Sequence, residues 1–189
     1  MHDFVTIPLY LLEIDTKIWF ISDTHFDHTN IIKYCNRPFN TVEDMNNIML
    51  KNWNYYISNT DTVFFVGDMA FGRGSRKPSW WLKQLNGNIY YLKGSHDEGI
   101  TPFSEGLNNV KFVTDAIILT TEYGRFYITH NPVNIPVDWS GWAIHGHTHN
   151  NDSFFCTDFN NKRFNVSVEV MDYKPRNLQY FLTEMNKRR

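Results

Sequence analysis

At 189 residues the chain has room for one full domain and not for two of ordinary size, so 1–189 reads as a single domain. Aromatic residues make up 16% of it and all hydrophobic types 42%, which excludes a disordered chain. Lys and Arg number 18 against 20 Asp and Glu, and a net charge of −2 excludes a protein that coats nucleic acid through a generally basic surface.

The N-terminal stretch 1–17 threads acids and a proline through its apolar residues and has no basic opening, so it reads as neither signal peptide nor membrane span. A strand follows at Lys17–Ile21. Thr41-Val-Glu-Asp44 then resembles a capping box with Asp in the Glu position, and Phe39 is placed to staple it. Val42, Met45, Ile48, Met49, Trp53 and Tyr56 continue as a helical stripe. A strand at Thr62–Val66 leads to a helix from Pro78 through Trp81, Leu82 and Leu85, stopping at Asn86-Gly87. Strands at Asn88–Leu92, Ala116–Thr120, Arg125–Thr129, Trp142–Ile144 and Phe164–Val170 complete the pattern. Their unbroken apolar character predicts cover on both faces. Alternation of strand and helix through residue 92 predicts an α/β fold, with the strand-rich second half antiparallel in part. Cys35 and Cys156 match no metal or redox spacing and read as buried, reduced thiols, so the expected compartment is the cytoplasm.

Five of these strands end in His or Asp. Trp19-Phe20-Ile21 runs into Ser22-Asp23-Thr24-His25, and Phe64-Phe65-Val66 into Gly67-Asp68. Tyr90-Tyr91-Leu92 leads to Lys93-Gly94-Ser95-His96-Asp97, Phe126-Tyr127-Ile128 to Thr129-His130, and Trp142-Ala143-Ile144 to His145-Gly146-His147-Thr148-His149. Ligands of open α/β sheets bind outside the carboxyl ends of strands, so these side chains can converge on one cleft. Asp23 and His25, two apart on one side of an extended segment, can grip a single ion, and His147 and His149 repeat the spacing. Carboxylate with neutral imidazole suits Mn, Fe, Zn or Co. With Asp68 and His130 the set holds six ligands, more than one tetrahedral ion needs, which implies two ions that share a carboxylate and clamp an in-line phosphoryl displacement. A lone Asp-x-His or a lone Gly-Asp at a strand end is commonly a turn or a satisfied polar group, and a lone His-x-His is as often surface chance as a metal site. The five in succession are what single out a site.

Asp23-x-His25, Gly67-Asp68, Gly94-x-His96-Asp97, His130 and Gly146-His147-x-His149 resemble the signature of the calcineurin-like metallophosphoesterases, in the family's order from residue 18 to about 150. The stretch from Ser22 to His28, followed by Asn36-Arg37-Pro38-Phe39, is similar to a small, cap-less bacterial and phage group within it. The resemblance implies a four-layer α/β/β/α sandwich of two mixed sheets with a two-metal site at the sheet ends. It implies Asp23, His25, Asp68 and His149 on one ion, and Asp68, His130 and His147 on the other. Manganese is the first choice of metal, with Fe, Zn, Ni, Co and Mg as alternatives. His96, supported by Asp97, would act on the leaving oxygen after attack by a metal-bound hydroxide. One departure stands out: the family's Asn ligand is Ser95 here, a shorter neutral donor that implies a weaker second site.

The resemblance implies hydrolysis of small phosphodiesters or nucleotides, diesters ahead of monoesters. The alternatives are a nuclease acting on single-stranded nucleic acid and a non-catalytic protein-binding scaffold with a degraded site. Among further candidates, His28 lines the substrate mouth, or is solvated or supports a ligand, and Arg37 is a phosphate clamp or one half of a surface salt bridge. Arg73, with Arg76 and Lys77 in the loop after Asp68, steers an anionic substrate or is simply solvated. His145 reads as supporting a ligand or bonding in the core. Lys187-Arg188-Arg189 reads as a frayed tail. Two divalent cations outweigh the charges of Asp23 and Asp68, so a near-neutral chain can still attract phosphate.

Overall fold

Apolar runs rich in β-branched and aromatic residues need cover on both sides once they extend, and here they are covered by stacking two sheets on one another. The computed structural model describes residues 4–8, 17–97, 106–113, 115–151, 157–158 and 162–187; Cys156, Arg188 and Arg189 lie outside them. In chain order the strands are β1 (Phe4–Pro8), β2 (Ile18–Ile21), β3 (Thr62–Phe65), β4 (Asn88–Leu92), β5 (Val110–Val113), β6 (Ala116–Thr121), β7 (Gly124–Thr129), β8 (Trp142–His145), β9 (Thr157–Asp158), β10 (Arg163–Asn165) and β11 (Arg176–Asn177). The helices are α1 (Thr29–Tyr34), α2 (Val42–Tyr56), α3 (Pro78–Leu82) and α4 (Leu178–Asn186).

One sheet runs β11-β2-β3-β4-β5, with β2 to β5 parallel and β11 antiparallel at the edge. The other runs β1-β6-β7-β8-β10-β9 and mixes directions, antiparallel at β6/β7 and β10/β9. Side chains alternate along each strand, so Trp19, Ile21, Val63, Phe65, Ile89 and Tyr91 face α1, α2 and α3. Phe20, Phe64, Val66 and Leu92 face the opposite way, onto Ile117, Phe126, Ile128, Ile144 and Phe164 of the second sheet, and α4 adds Phe181 to this inner core. The outer face of the second sheet presents Ala116, Ile118, Tyr127 and Ala143 beneath Ile135 and Trp139, next to a single 3-10 turn at Pro132–Asn134. Among the described residues this outermost layer is thin.

Several predicted elements shift, each for a visible reason. Thr41 does cap α2, accepting from Asp44 N at 3.0 Å. The buried stripe of α2, however, is Met45, Asn46, Met49 and Trp53. Ile48 is 43% exposed and Tyr56 39%, while Asn46 turns inward because it exchanges hydrogen bonds with Asp27. The helix from Pro78 ends at Leu82, short of Asn86-Gly87, since Asn86 N bonds to Asn54 Oδ1 of α2. The run Phe164–Val170 divides into β10 and a 3-10 turn, Val168–Met171, where Asn165 Oδ1 accepts from Ser167 N and draws the chain out of the sheet.

Candidate metal centre

Parallel pairing of β2, β3 and β4 puts their carboxyl ends on one edge, and the parallel set β7, β8 and β10 brings its own ends to meet them. The two sheets are stitched together there. Ser22 and Ser167 form an isolated bridge, with Ser22 N to Val166 O at 3.0 Å and Val168 N to Ser22 O at 3.2 Å. Asp23 N bonds to Gly67 O at 2.9 Å, and Gly146 N to His130 O at 3.0 Å. The five polar strand ends therefore do share one location.

Among the described residues two candidate ligand groups gather the predicted residues at this seam, and a third, Cys35, His149 and Glu169, shares His149 with the first. Asp23, His25 and His149 bring donor atoms within 4.8 Å of one another, and so do Asp68, His130 and His147. The Asp68 carboxylate faces both groups, 3.6 Å from His25 Nε2 and 3.4 Å from His130 Nε2. Ser95 Oγ lies 3.5 Å from His130 Nε2 and 3.3 Å from His147 Nδ1, directed into the second group. His147 and His149 thus part company: they belong to different groups rather than gripping one ion together.

The donor set fits a divalent cation. Both ring nitrogens of His25 are buried without a hydrogen-bond partner. Burial lowers the His25 pKa to about 3 against the pull of Asp23 and Asp68, so the ring is a neutral donor at any ordinary pH. Burial also opposes protonation of His130, but the Asp68 hydrogen bond and the charges of Asp23 and Asp68 outweigh it and raise the pKa to about 9. His130 Nδ1 pairs with Val66 O at 2.8 Å, which leaves Nε2 directed at Asp68. Asp68 itself is held below the usual carboxylate range: burial works the other way, and the His130 hydrogen bond and charge, the His96 amide and His25 prevail. Carboxylates and imidazole nitrogens that face each other at 3.4–4.0 Å suit a shared cation.

The local backbone is not the extended one expected from the spacing. Asp23, His25, Asp68, His147 and His149 all take left-handed φ, from 46° to 71°. These five candidate ligands are set by local reversals and not by strand alternation; His130 is not left-handed. Two glycines make room. A Cβ on Gly94 would strike the Asp68 carboxylate, and one on Gly146 would strike the Asp23 carboxylate and Ser22.

The other predicted residues divide. His96 is exposed beside this cluster, its ring 5.5 Å from that of His25 and its amide bonded to Asp68 Oδ1 at 2.8 Å. Asp97 departs from its expected role of supporting the His96 ring. It is buried and accepts from Asp68 N, Met69 N and Gly94 N, so it ties the β3 and β4 loops together. His28 stands at the mouth, 5.8 Å from His25. Arg37 is neither phosphate clamp nor surface pair: it is buried, donates to Glu169 through Nε and Nη2, and holds the carbonyls of Asp23 and Thr24 at 2.8 Å. Arg76 is engaged by Asp27 and stacks on Trp80 and Trp81, which removes it as a free steering charge, while Arg73 is exposed. His145 is buried against Gly146 O at 2.9 Å. Sequence reasoning missed Glu169, whose Oε1 lies 3.0 Å from His149 Nδ1. Its one signal was a lone acid within the apolar run from Val166 to Val170.

The model of the calcineurin-like phosphoesterase family matches residues 16–181. An uncharacterised protein of Methanocaldococcus jannaschii is 39% identical over 175 residues, covering 90% of this chain and 92% of that protein. The gene 66 protein of Mycobacterium phage L5 is 28% identical over 84 residues, covering 43% of this chain and 40% of that one. A solved protein of unknown function from Aquifex aeolicus has a similar fold at TM-score 0.71 and 24% identity, over 90% of this chain and all of its own.

Proposed function

Because the chain belongs to the calcineurin-like phosphoesterase family, we propose that it hydrolyses small phosphodiester or nucleotide substrates with the help of two divalent cations, manganese being the first choice. The observation that carries this reading is the Asp68 carboxylate, which faces His25 of one ligand group and His130 of the other. Asp23, His25, Asp68 and His149 would hold one ion, and Asp68, His130 and His147 the other, with the Ser95 hydroxyl as a short, neutral addition. When bound, the pair supplies positive charge for the phosphoryl oxygens and the acidity that yields a nucleophile at neutral pH.

The chain's own residues do the rest. His96, exposed beside the centre, delivers a proton from its ring to the leaving oxygen. Its amide bond to Asp68 Oδ1 fixes that backbone against the shared ligand. Asp97 keeps the β3 and β4 loops in register through its three accepted amides. Arg37 holds the Asp23 and Thr24 carbonyls, so that the first ligand loop cannot relax.

A bis-aryl phosphate with added manganese tests this. The protein is expected to turn it over, and Asp68→Ala or a chelator to lower the rate by about a hundredfold or more. Equal rates in all three would leave the scaffold reading. Single-stranded oligonucleotides assayed beside cyclic nucleotides separate a nuclease from an enzyme of small substrates.

A further inference from the structure

Large apolar side chains that stay exposed while their backbone is fixed call for an explanation. Phe71 is such a residue. Its ring is 40% exposed, yet its amide bonds to Phe26 O at 3.2 Å and its neighbour Ala70 bridges to Phe26. The segment that follows is pinned as well: Arg76 binds Asp27 and lies 4.3 Å from the ring centres of both Trp80 and Trp81. Phe71 is thus held at the mouth of the centre by the same two loops that supply Asp23, His25 and Asp68.

Its ring neighbours are those of the site. Phe71 lies 4.1 Å from His96 and 5.1 Å from His28, and those two rings lie 5.5 and 5.8 Å from His25. Phe71, His96 and His28 thus frame His25, a candidate metal ligand, with three rings. Tyr34, 69% exposed, extends the frame outward at 6.1 Å from His28. Two arginines that could have made this mouth strongly cationic, Arg37 and Arg76, are engaged by Glu169 and Asp27. Beside the candidate ligands the mouth presents π-surface, with imidazole edges able to hydrogen-bond, and an exposed arginine, Arg73, follows in the Phe71 loop.

We propose that Phe71, framed by His96 and His28 and extended by Tyr34, is a stacking platform for the base of a nucleotide whose phosphoryl group sits at the ligand cluster; this rests on the phosphoesterase reading above. The phosphate is recognised at the metals and the flat heterocycle by the rings, and fixing the platform in advance lowers the ordering cost of binding. A mononucleotide fits such a short frame better than a polyanionic strand, which needs a basic track along its backbone.

Calorimetric titration of the manganese-loaded protein with adenosine 5′-monophosphate and with ribose 5-phosphate tests the platform without relying on turnover. The nucleotide is expected to bind roughly ten- to hundredfold more tightly than the base-free sugar phosphate. Phe71→Ala should bring that ratio close to one, and Phe71→Trp should keep it. Equal affinities in the unaltered protein would overturn the platform. So would a Phe71→Ala that weakens both ligands by the same factor, since Phe71 would then only position His96. Failure to bind either ligand also overturns it, while the bis-aryl phosphate assay reports separately on hydrolysis.

Discussion

Asp23, His25, Asp68, His147 and His149 hold left-handed backbones that each cost on the order of 1 kcal/mol, so something must retain them. Hydrogen bonds among the loops do so, with His25 N on Asp68 O at 3.1 Å, His147 N on the Asp23 carboxylate at 3.0 Å and Asp68 N on Asp97 at 2.7 Å. Arg37 and Glu169 add a second tie: the guanidinium holds the Asp23 loop and Glu169 together, and Glu169 faces His149 Nδ1. Burial works against the Glu169 carboxylate, but the Arg37 charge and the His149 hydrogen bond outweigh it and hold its pKa at about 2. Glu169→Gln, which keeps an acceptor and loses the charge, should weaken manganese binding roughly tenfold, and Glu169→Ala about a hundredfold, by equilibrium dialysis. Unchanged affinity in both would dismiss Glu169 as an orienting residue. The candidate ligand types were legible because His and Asp recur at strand ends, whereas no local pattern joins Arg37 to Glu169 across 132 residues. Nor does a two-residue spacing reveal a left-handed φ.

Central strands were readable because both faces are buried and their residues form continuous apolar runs; β2 and β3 are buried at every position. Shorter edge elements were not. The strand β11 has two residues and α1 six, too few to display a period. Long-range pairing also hid β1, which contains a proline and finds its partner β6 more than a hundred positions away. One carboxylate anchors the element junctions at the far end of the sheet. Asp61 accepts from Trp19 Nε1 at 2.9 Å on β2 and from Ser58 N at 3.0 Å after α2. Burial would raise its pKa, yet the Ser58 amide and Trp19 hydrogen bonds win and lower it. A lowered folded-state value means that this contribution is present above the unfolded carboxylate pKa of about 3.9 and is lost as pH falls through the folded one. Urea melts of the parent should therefore lose stability below about pH 4, and Asp61→Asn should show a shallower acid limb. Identical acid limbs would remove Asp61 from the account.

At the scale of the molecule, both ligand groups draw on both sheets: Asp23, His25 and Asp68 follow strands of one, His130, His147 and His149 strands of the other. Any ion held there binds the docked sheets and not the separated ones. Manganese at about a hundred times its Kd should add roughly 2.7 kcal/mol of stability. For a chain of this length that raises Tm by about 5–10 °C in a calorimetric scan, and a chelator should reverse the gain. No shift on addition would count against the metal centre. The Ser22–Ser167 bridge carries this dependence on docking into time. It closes a loop of about three-quarters of the chain at the ligand seam, so it belongs to the slow, non-local events of folding, after the parallel strands β2 to β4 can pair. A nascent chain lacking its last third has Asp23, His25 and Asp68 but neither His147 nor His149. Metal capture would then come as the final act of maturation, sealing a fold that is already complete.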